Sequence, residues 1–367
     1  MTLPTPRPGL MDIHPYKGGD SAAEGVEKIL KLSSNENPLG ASPKAVAALR
    51  EAAAAAHRYP DGGADRLRAA IAARHGLPET GIICGNGSDE LIALLVQAYC
   101  NPGDEVLYSQ YGFLMYALSA KACGAVPVTA PERDLTADVD ALLAAITPRT
   151  RILFLANPNN PTGTYLPHTE VRRLREAMPA GVLLAIDAAY AEYVGRNDYD
   201  SGAALVAERD DTVMTRTFSK IHGLAAVRLG WLYGPAAVVD VLHRVRGPFN
   251  VNALAQAAGL AALDDPAWAE KARAHNDYWV PEMTRALTAL GLIVPPSVGN
   301  FVLVRFPGGA EEASAANAFL TRRGILLRGM AGYGLADSLR ATIGTDDDNR
   351  AVIEALAAFR DGAKAGT

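Results

Sequence analysis

Between residues 81 and 233, short apolar runs alternate with stretches of helical periodicity, and most of the runs stop at Gly, Asn, Asp or Ser. The runs fall at 81–84, 105–108, 126–129, 151–156, 182–186, 212–218 and 229–233. Helical patterns fill 89–99, 113–123, 139–146, 169–178 and 236–246. Runs this apolar suit strands covered on both faces. Strand–helix alternation predicts an α/β architecture with a mostly parallel, seven-stranded sheet. After about residue 248 the rhythm changes. A helical stretch over 268–290 carries Pro281, where a kink or break is expected. Strands at 301–306, 325–328 and 339–343 and helices at 313–323 and 347–359 follow, and the run Asp346-Asp347-Asp348 suits a helix N-terminus. At 367 residues two domains are the prior. The expected division is an arm with part of the small domain at 1–45, a large domain at 46–248 and a smaller α+β domain at 249–367.

Composition limits the partners. Hydrophobic residues make up 49% and charged ones 20%, as in soluble globular proteins. A net charge of -5 argues against nucleic acid, which needs a basic excess. No apolar run approaches the roughly 18 to 20 residues of a membrane span. Pro4, Pro6, Arg7 and Pro8 interrupt the start, so no export signal is expected there. Cys84, Cys100 and Cys123 are odd in number, widely spaced and without a metal-ligand pattern. They read as small core residues in a reducing cytoplasm.

Four segments at expected strand ends carry polar chemistry. Thr217-Phe218-Ser219-Lys220 runs a strand into a lysine, where open α/β sheets place ligand groups. Desolvated beside another cation, such a lysine becomes an amine nucleophile; a lysine pointing into water is the alternative. Thr217 and Ser219 offer hydroxyls and Arg228 a guanidinium to a phosphate. In Ile186-Asp187-Ala188-Ala189-Tyr190, a buried acid needs a partner. A protonated pyridine nitrogen is one, with Tyr190 within reach of the same ring's phenolic oxygen; a helix cap with a packed tyrosine is the plainer reading. Asn157-Pro158-Asn159-Asn160-Pro161-Thr162-Gly163 fixes a loop more tightly than a turn requires, and Asn157 has an amide for the same oxygen. Gly85-Asn86-Gly87-Ser88-Asp89-Glu90 opens a helix whose N–H groups suit an anion, but lacks the third glycine of a dinucleotide site.

Taken together and in this order, the four segments resemble those of the fold-type-I aminotransferases. The resemblance spans the chain. It implies pyridoxal 5'-phosphate as cofactor, Lys220 as its Schiff-base lysine, Asp187 on the pyridine nitrogen, and Asn157 with Tyr190 on the phenolic oxygen. It implies Gly87, Ser88, Asp89, Thr217, Ser219 and Arg228 around the cofactor phosphate, and Tyr111 stacked on the ring, although core packing also accounts for Tyr111.

Further motifs are similar to those of the histidinol-phosphate aminotransferases: His14-Pro15-Tyr16, Ser34-Asn35-Glu36-Asn37-Pro38, Arg58-Tyr59-Pro60-Asp61, Gly332-Tyr333-Gly334 and Leu339-Arg340-Ala341-Thr342. This likeness implies a cytoplasmic homodimer in which Tyr59 reaches the neighbour's cofactor phosphate. It implies Arg340 as the main substrate-anion arginine, supported by Arg328, Tyr16, Asn35 and Asn157. The substrates would be histidinol phosphate and glutamate or 2-oxoglutarate. An arginine fork suits either a carboxylate or a phosphate, and a second cation suits the extra charge of phosphate. An aromatic amino acid aminotransferase and a threonine-phosphate decarboxylase keep the same lysine. A regulator that only binds the cofactor is a further alternative, but residues 1–45 are too short to add a DNA-binding domain.

Overall fold

The computed structural model describes residues 4–7, 9–15 and 18–365, without the side chains of 363–365. The seven apolar runs are the strands of one sheet: β1 (Ile82–Gly85), β2 (Glu105–Ser109), β3 (Val126–Ala130), β4 (Thr150–Ala156), β5 (Leu183–Asp187), β6 (Thr212–Thr217) and β7 (Gly230–Tyr233). Their spatial order is β1-β7-β6-β5-β4-β2-β3. Neighbours from β6 to β3 pair in parallel, whereas β7 runs antiparallel to both β1 and β6.

Alternate residues of one strand feed different cores. Ile152 and Phe154 pack with Ile83, Leu95 and Val106, while Leu153 and Leu155 pack with Leu107, Leu174 and Leu184. Helices therefore cover both faces, which is why the middle of the central strands β4 and β5 is apolar at consecutive positions rather than at every second one. The polar residues Asp187 and Thr217 come at the carboxyl ends of β5 and β6, where the strands run out of core.

A second sheet has three strands, β8 (Phe301–Arg305), β9 (Arg328–Gly329) and β10 (Ser338–Thr342), with β10 antiparallel between the other two. Its cluster joins Val302, Val304, Leu339 and Ala341 to Met283, Leu320 and Leu356 of the helices Pro266–Ala289, Gly309–Thr321 and Asp346–Ala365. The expected break at Pro281 does not occur: the helix runs from Pro266 to Ala289 with the proline inside. Trp279, Val280 and Met283 on either side of it are buried in that one cluster, so packing holds the two halves together. Leu30–Lys31 pairs in parallel with Ile325–Leu326, and Leu32 joins the second cluster, so the N-terminal segment is part of this unit. We propose the domain division much as composition suggests it. Helix Ala253–Leu263 nevertheless packs Ala255, Ala258 and Ala262 with Leu67, Leu229 and Trp231, which assigns it to the large sheet's core. Among the described residues no helix is long and apolar enough to cross a membrane.

Gly230 is where β7 presses on the glycine loop after β1: a Cβ there would sit 2.4 Å from the Ser88 nitrogen and 2.6 Å from the Gly87 carbonyl carbon. Both neighbours are backbone and cannot swing aside. Gly230→Ala is expected to destabilise the protein by about 1–3 kcal/mol, the usual cost of overpacking. Gly247→Ala, with nothing within 4 Å, should leave the thermal midpoint unchanged. Thermal unfolding of the two variants checks this.

Candidate active site

The carboxyl ends of β4, β5 and β6 and the start of helix Ser88–Tyr99 face one cavity of about 300 Å³. Residues 33–36 and the arginines of the second sheet close it from the other side. Lys220, three residues past β6, lies in its wall; the Nζ donates to the Ser34 carbonyl at 3.2 Å and sits 5.8 Å from the Tyr190 ring centre. Burial, helped by the Arg340 charge, lowers the amine's pKa from 10.5 to about 8. Near neutral pH this lysine can therefore give up its proton.

Asp187 ends β5. Burial raises its carboxyl to about 6, against the pull of hydrogen bonds from Tyr116 and Thr215. The Tyr116 hydroxyl donates to Oδ2 at 2.8 Å and the Thr215 hydroxyl to Oδ1 at 3.3 Å. Tyr190 packs its ring edge-on to Phe301, and its hydroxyl accepts from Asn35 Nδ2 at 2.8 Å. Burial pushes the Tyr190 phenol well above its ordinary range, so it stays protonated and keeps its own hydrogen to donate. Asn35 is fixed in turn: its φ is 54°, its N–H donates to Thr342 Oγ1 at 2.9 Å, and that hydroxyl donates to Asn35 Oδ1 at 3.0 Å.

The other end of the cavity is built for an anion. Gly87 has φ 86° and no side chain to cap the helix that begins at Ser88, so the first-turn N–H groups stay available. A Cβ on Gly87 would lie 2.4 Å from Arg228 Nη2, so the glycine leaves room for that guanidinium. Arg228, itself at φ 60°, reaches Ser219 Oγ at 3.4 Å and Asp89 Oδ2 at 3.2 Å. Amides at a helix start, a hydroxyl and a guanidinium form the donor set of a phosphate monoester site. Together with an acid and a lysine of shifted pKa, this fits pyridoxal phosphate.

Two further cations lie on the small sheet. Arg328 and Arg340 are directly paired across β9 and β10, and both line the cavity. Arg340 is buried; it donates from Nη2 to the Ser33 carbonyl at 2.8 Å and from Nη1 to Asn160 Oδ1.

Of the residues singled out from the sequence, Asn35, Ser88, Asp89, Asp187, Tyr190, Thr217, Ser219, Lys220, Arg228, Arg328 and Arg340 line this one cavity. Tyr16 lies outside the described residues. Asn157 needs correcting: its amide closes on the Leu166 backbone, with Nδ2 to O at 3.1 Å and Oδ1 from N at 2.7 Å. Asn160, directly before Pro161-Thr162-Gly163, lines the cavity instead. Tyr111 packs beside Met330 and Leu335, and Phe113 supplies the aromatic at the cavity. Two aromatics two residues apart in Tyr111-Gly112-Phe113 are hard to rank before the turn between them is known. Tyr59 is not in the wall; the residue is 83% exposed and its ring stacks on Phe249 at 4.7 Å. Tyr333, quoted from the sequence within a motif but given no role, lines the cavity, whereas Tyr116 was not singled out and touches the site only through Asp187.

Comparison with known proteins points the same way. The family model described as aminotransferase class I and II matches residues 27–356. A histidinol-phosphate aminotransferase of Paramagnetospirillum magneticum is 63% identical over 360 residues, covering 98% of this chain and 99% of its own. That of Rhodospirillum rubrum is 58% identical, covering 98% of both chains. The crystal structure of the histidinol-phosphate aminotransferase from Sinorhizobium meliloti in complex with pyridoxal-5'-phosphate superposes with a TM-score of 0.90 at 26% identity, over 99% of both chains.

The shift of Lys220 carries a stability prediction. Its pKa is lower in the folded chain (about 8) than the ordinary 10.5, so between those values the unfolded state binds more protons and stability rises with pH. In cofactor-free protein, Lys220→Met should be the more stable form below pH 8, by about 3 kcal/mol at 1.36 kcal/mol per pKa unit. The gap should close as the pH rises from 8 towards 10.5. Urea unfolding of both forms across that range tests it.

Proposed function

This chain belongs to the aminotransferase class I and II family, and from that premise we propose that it moves the amino group of histidinol phosphate to 2-oxoglutarate, giving imidazole-acetol phosphate and glutamate in histidine biosynthesis. The cofactor is pyridoxal 5'-phosphate. The observation that carries the substrate is the pairing of Arg328 with Arg340 at the cavity wall. Like charges directly opposite on neighbouring strands repel, and a bound anion relieves them. A phosphate dianion answers two guanidinium groups better than one carboxylate does. Glutamate, the second substrate, binds the same pair.

In this reading Arg228, Ser219, Thr217, Asp89 and the amides after Gly87 hold the cofactor phosphate. Asp187 meets the ring nitrogen, and Tyr190 and Asn160 meet the phenolic oxygen. Phe113 packs on the ring. The bound cofactor supplies an electron sink for the charge left when the substrate carbon loses its proton. The neutral Nζ of Lys220 takes that proton and hands it on, and its pKa near 8 suits both directions of transfer. Asp187, as a carboxylate, keeps a proton on the nitrogen opposite it. Asn35 aims the Tyr190 hydroxyl at the cavity. Walls formed by both sheets keep bulk water from competing for the amine.

A cytoplasmic homodimer with shared sites belongs to the same proposal. An aromatic as exposed as Tyr59, braced on Phe249 rather than collapsed on the surface, is supported as a group that meets a second copy.

Borohydride reduction followed by peptide mass spectrometry should find the cofactor fixed on Lys220; a Lys220→Ala protein that still transaminates would refute the assignment. The value of kcat/KM for histidinol phosphate should exceed that for phenylalanine, and a preference of about tenfold for phenylalanine would overturn the substrate. Arg328→Ala should lower kcat/KM for histidinol phosphate about 10- to 100-fold, the worth of a hydrogen bond to a charged group, and by less for glutamate.

A further inference from the structure

Asp187 is held from behind by a residue that never reaches the cavity. Tyr116 lies in the first turn of the helix Leu114–Cys123 and is fully buried. Its ring lies flat on Phe154, with centres 4.6 Å apart and 1° between planes. Tyr108 and Phe113 meet it edge-on at 5.8 Å and 6.0 Å. Three aromatics therefore fix the ring, and with it the phenolic oxygen, which lies 2.8 Å from Asp187 Oδ2. Burial keeps this phenol protonated, so it serves as a donor throughout the working pH range. Oδ1 has the longer bond from Thr215, at 3.3 Å.

We propose that Tyr116 is a positioning residue for the acid that faces the cofactor ring: its hydroxyl fixes Asp187 Oδ2 and holds the negative charge on the carboxylate. The physical reason is a competition for one proton. Asp187 and the ring nitrogen share it, and burial in apolar surroundings favours the neutral acid. Each hydrogen bond donated to the carboxylate stabilises its charged form, which moves the proton to the ring nitrogen. Tyr116 makes the shorter of the two side-chain bonds to Asp187. Its second contact adds to the effect: Phe113, which lines the cavity, rests its ring against Tyr116, so one buried side chain braces both the ring's acid and the aromatic beside it.

The inference rests on the reading of Asp187 as the partner of the ring nitrogen, and the test separates the two. The holoenzyme is loaded with cofactor labelled with ¹⁵N at the ring nitrogen, and its resonance is compared in wild type, Tyr116→Phe and Asp187→Asn. Tyr116→Phe should move the resonance towards that of an unprotonated pyridine. It should lower kcat about tenfold with KM for both substrates nearly constant, since a hydrogen bond to a charged group is lost and no substrate contact is. A 3-fluorotyrosine incorporated at position 116, a stronger donor of nearly the same shape, should move the resonance the opposite way. That variant also decides the matter if Tyr116→Phe folds poorly. An unchanged resonance in Tyr116→Phe, with a changed one in Asp187→Asn, overturns the role of Tyr116 and leaves that of Asp187 standing. An unchanged resonance in Asp187→Asn overturns the reading of Asp187, and the inference with it.

Discussion

Lys220 is half-buried in the cavity wall, and the partial loss of hydration there draws its pKa down from 10.5 to about 8. A hydrated lysine would stay charged and could neither attack a carbonyl nor take a proton from carbon. The same exclusion of water lifts the Asp187 carboxyl to about 6 and holds the Tyr190 phenol protonated. Three groups of different ordinary acidity are thus shifted by one physical cause, each towards its uncharged form. The fold supplies that cause by ending three parallel strands at one level and covering them with a second unit.

Two arrangements make this environment tolerable for polar groups. Three buried polar groups of the site have specific partners: Asp187 has Tyr116 and Thr215, Tyr190 has Asn35, and Asn35 has Thr342. These partners come from distant parts of the chain, so the site is stitched across both sheets. Positive charge is then concentrated at two ends, Arg228 at one and Arg328 with Arg340 at the other, leaving places for two anions. A molecule with an anion at each end and reacting carbons between them matches this layout.

Much of this was legible in the sequence, for a physical reason. Strands buried on both faces are rich in consecutive apolar residues, as β4 and β5 are, and the alternation of such runs with helical patterns made the sheet legible. The residues that follow them are polar because the core has ended, which is why Lys220, Asp187 and Ser88 stood out. Pro281 does not break its helix because propensity is local, whereas Trp279, Val280 and Met283 hold that helix through tertiary packing. Asn157 and Tyr111 misled because spacing cannot say which member of a polar or aromatic pair turns inwards. Leu166 claims the side chain of the first, and Met330 with Leu335 surrounds the second. Tyr116 was illegible because it acts from beneath the site, through another residue, and a buried tyrosine on a helix looks like core.

The pairing of Leu30–Lys31 with Ile325–Leu326 also orders events in time. On a ribosome the large sheet is complete in sequence once Tyr233 has been made. The strand at Leu30 must wait, unpaired, until Ile325 emerges. Closing a loop of that length is slow compared with local helix formation, because chain entropy is surrendered before contacts repay it. The end of the cavity that carries Arg328 and Arg340 is therefore synthesised last and is sealed by a segment synthesised first.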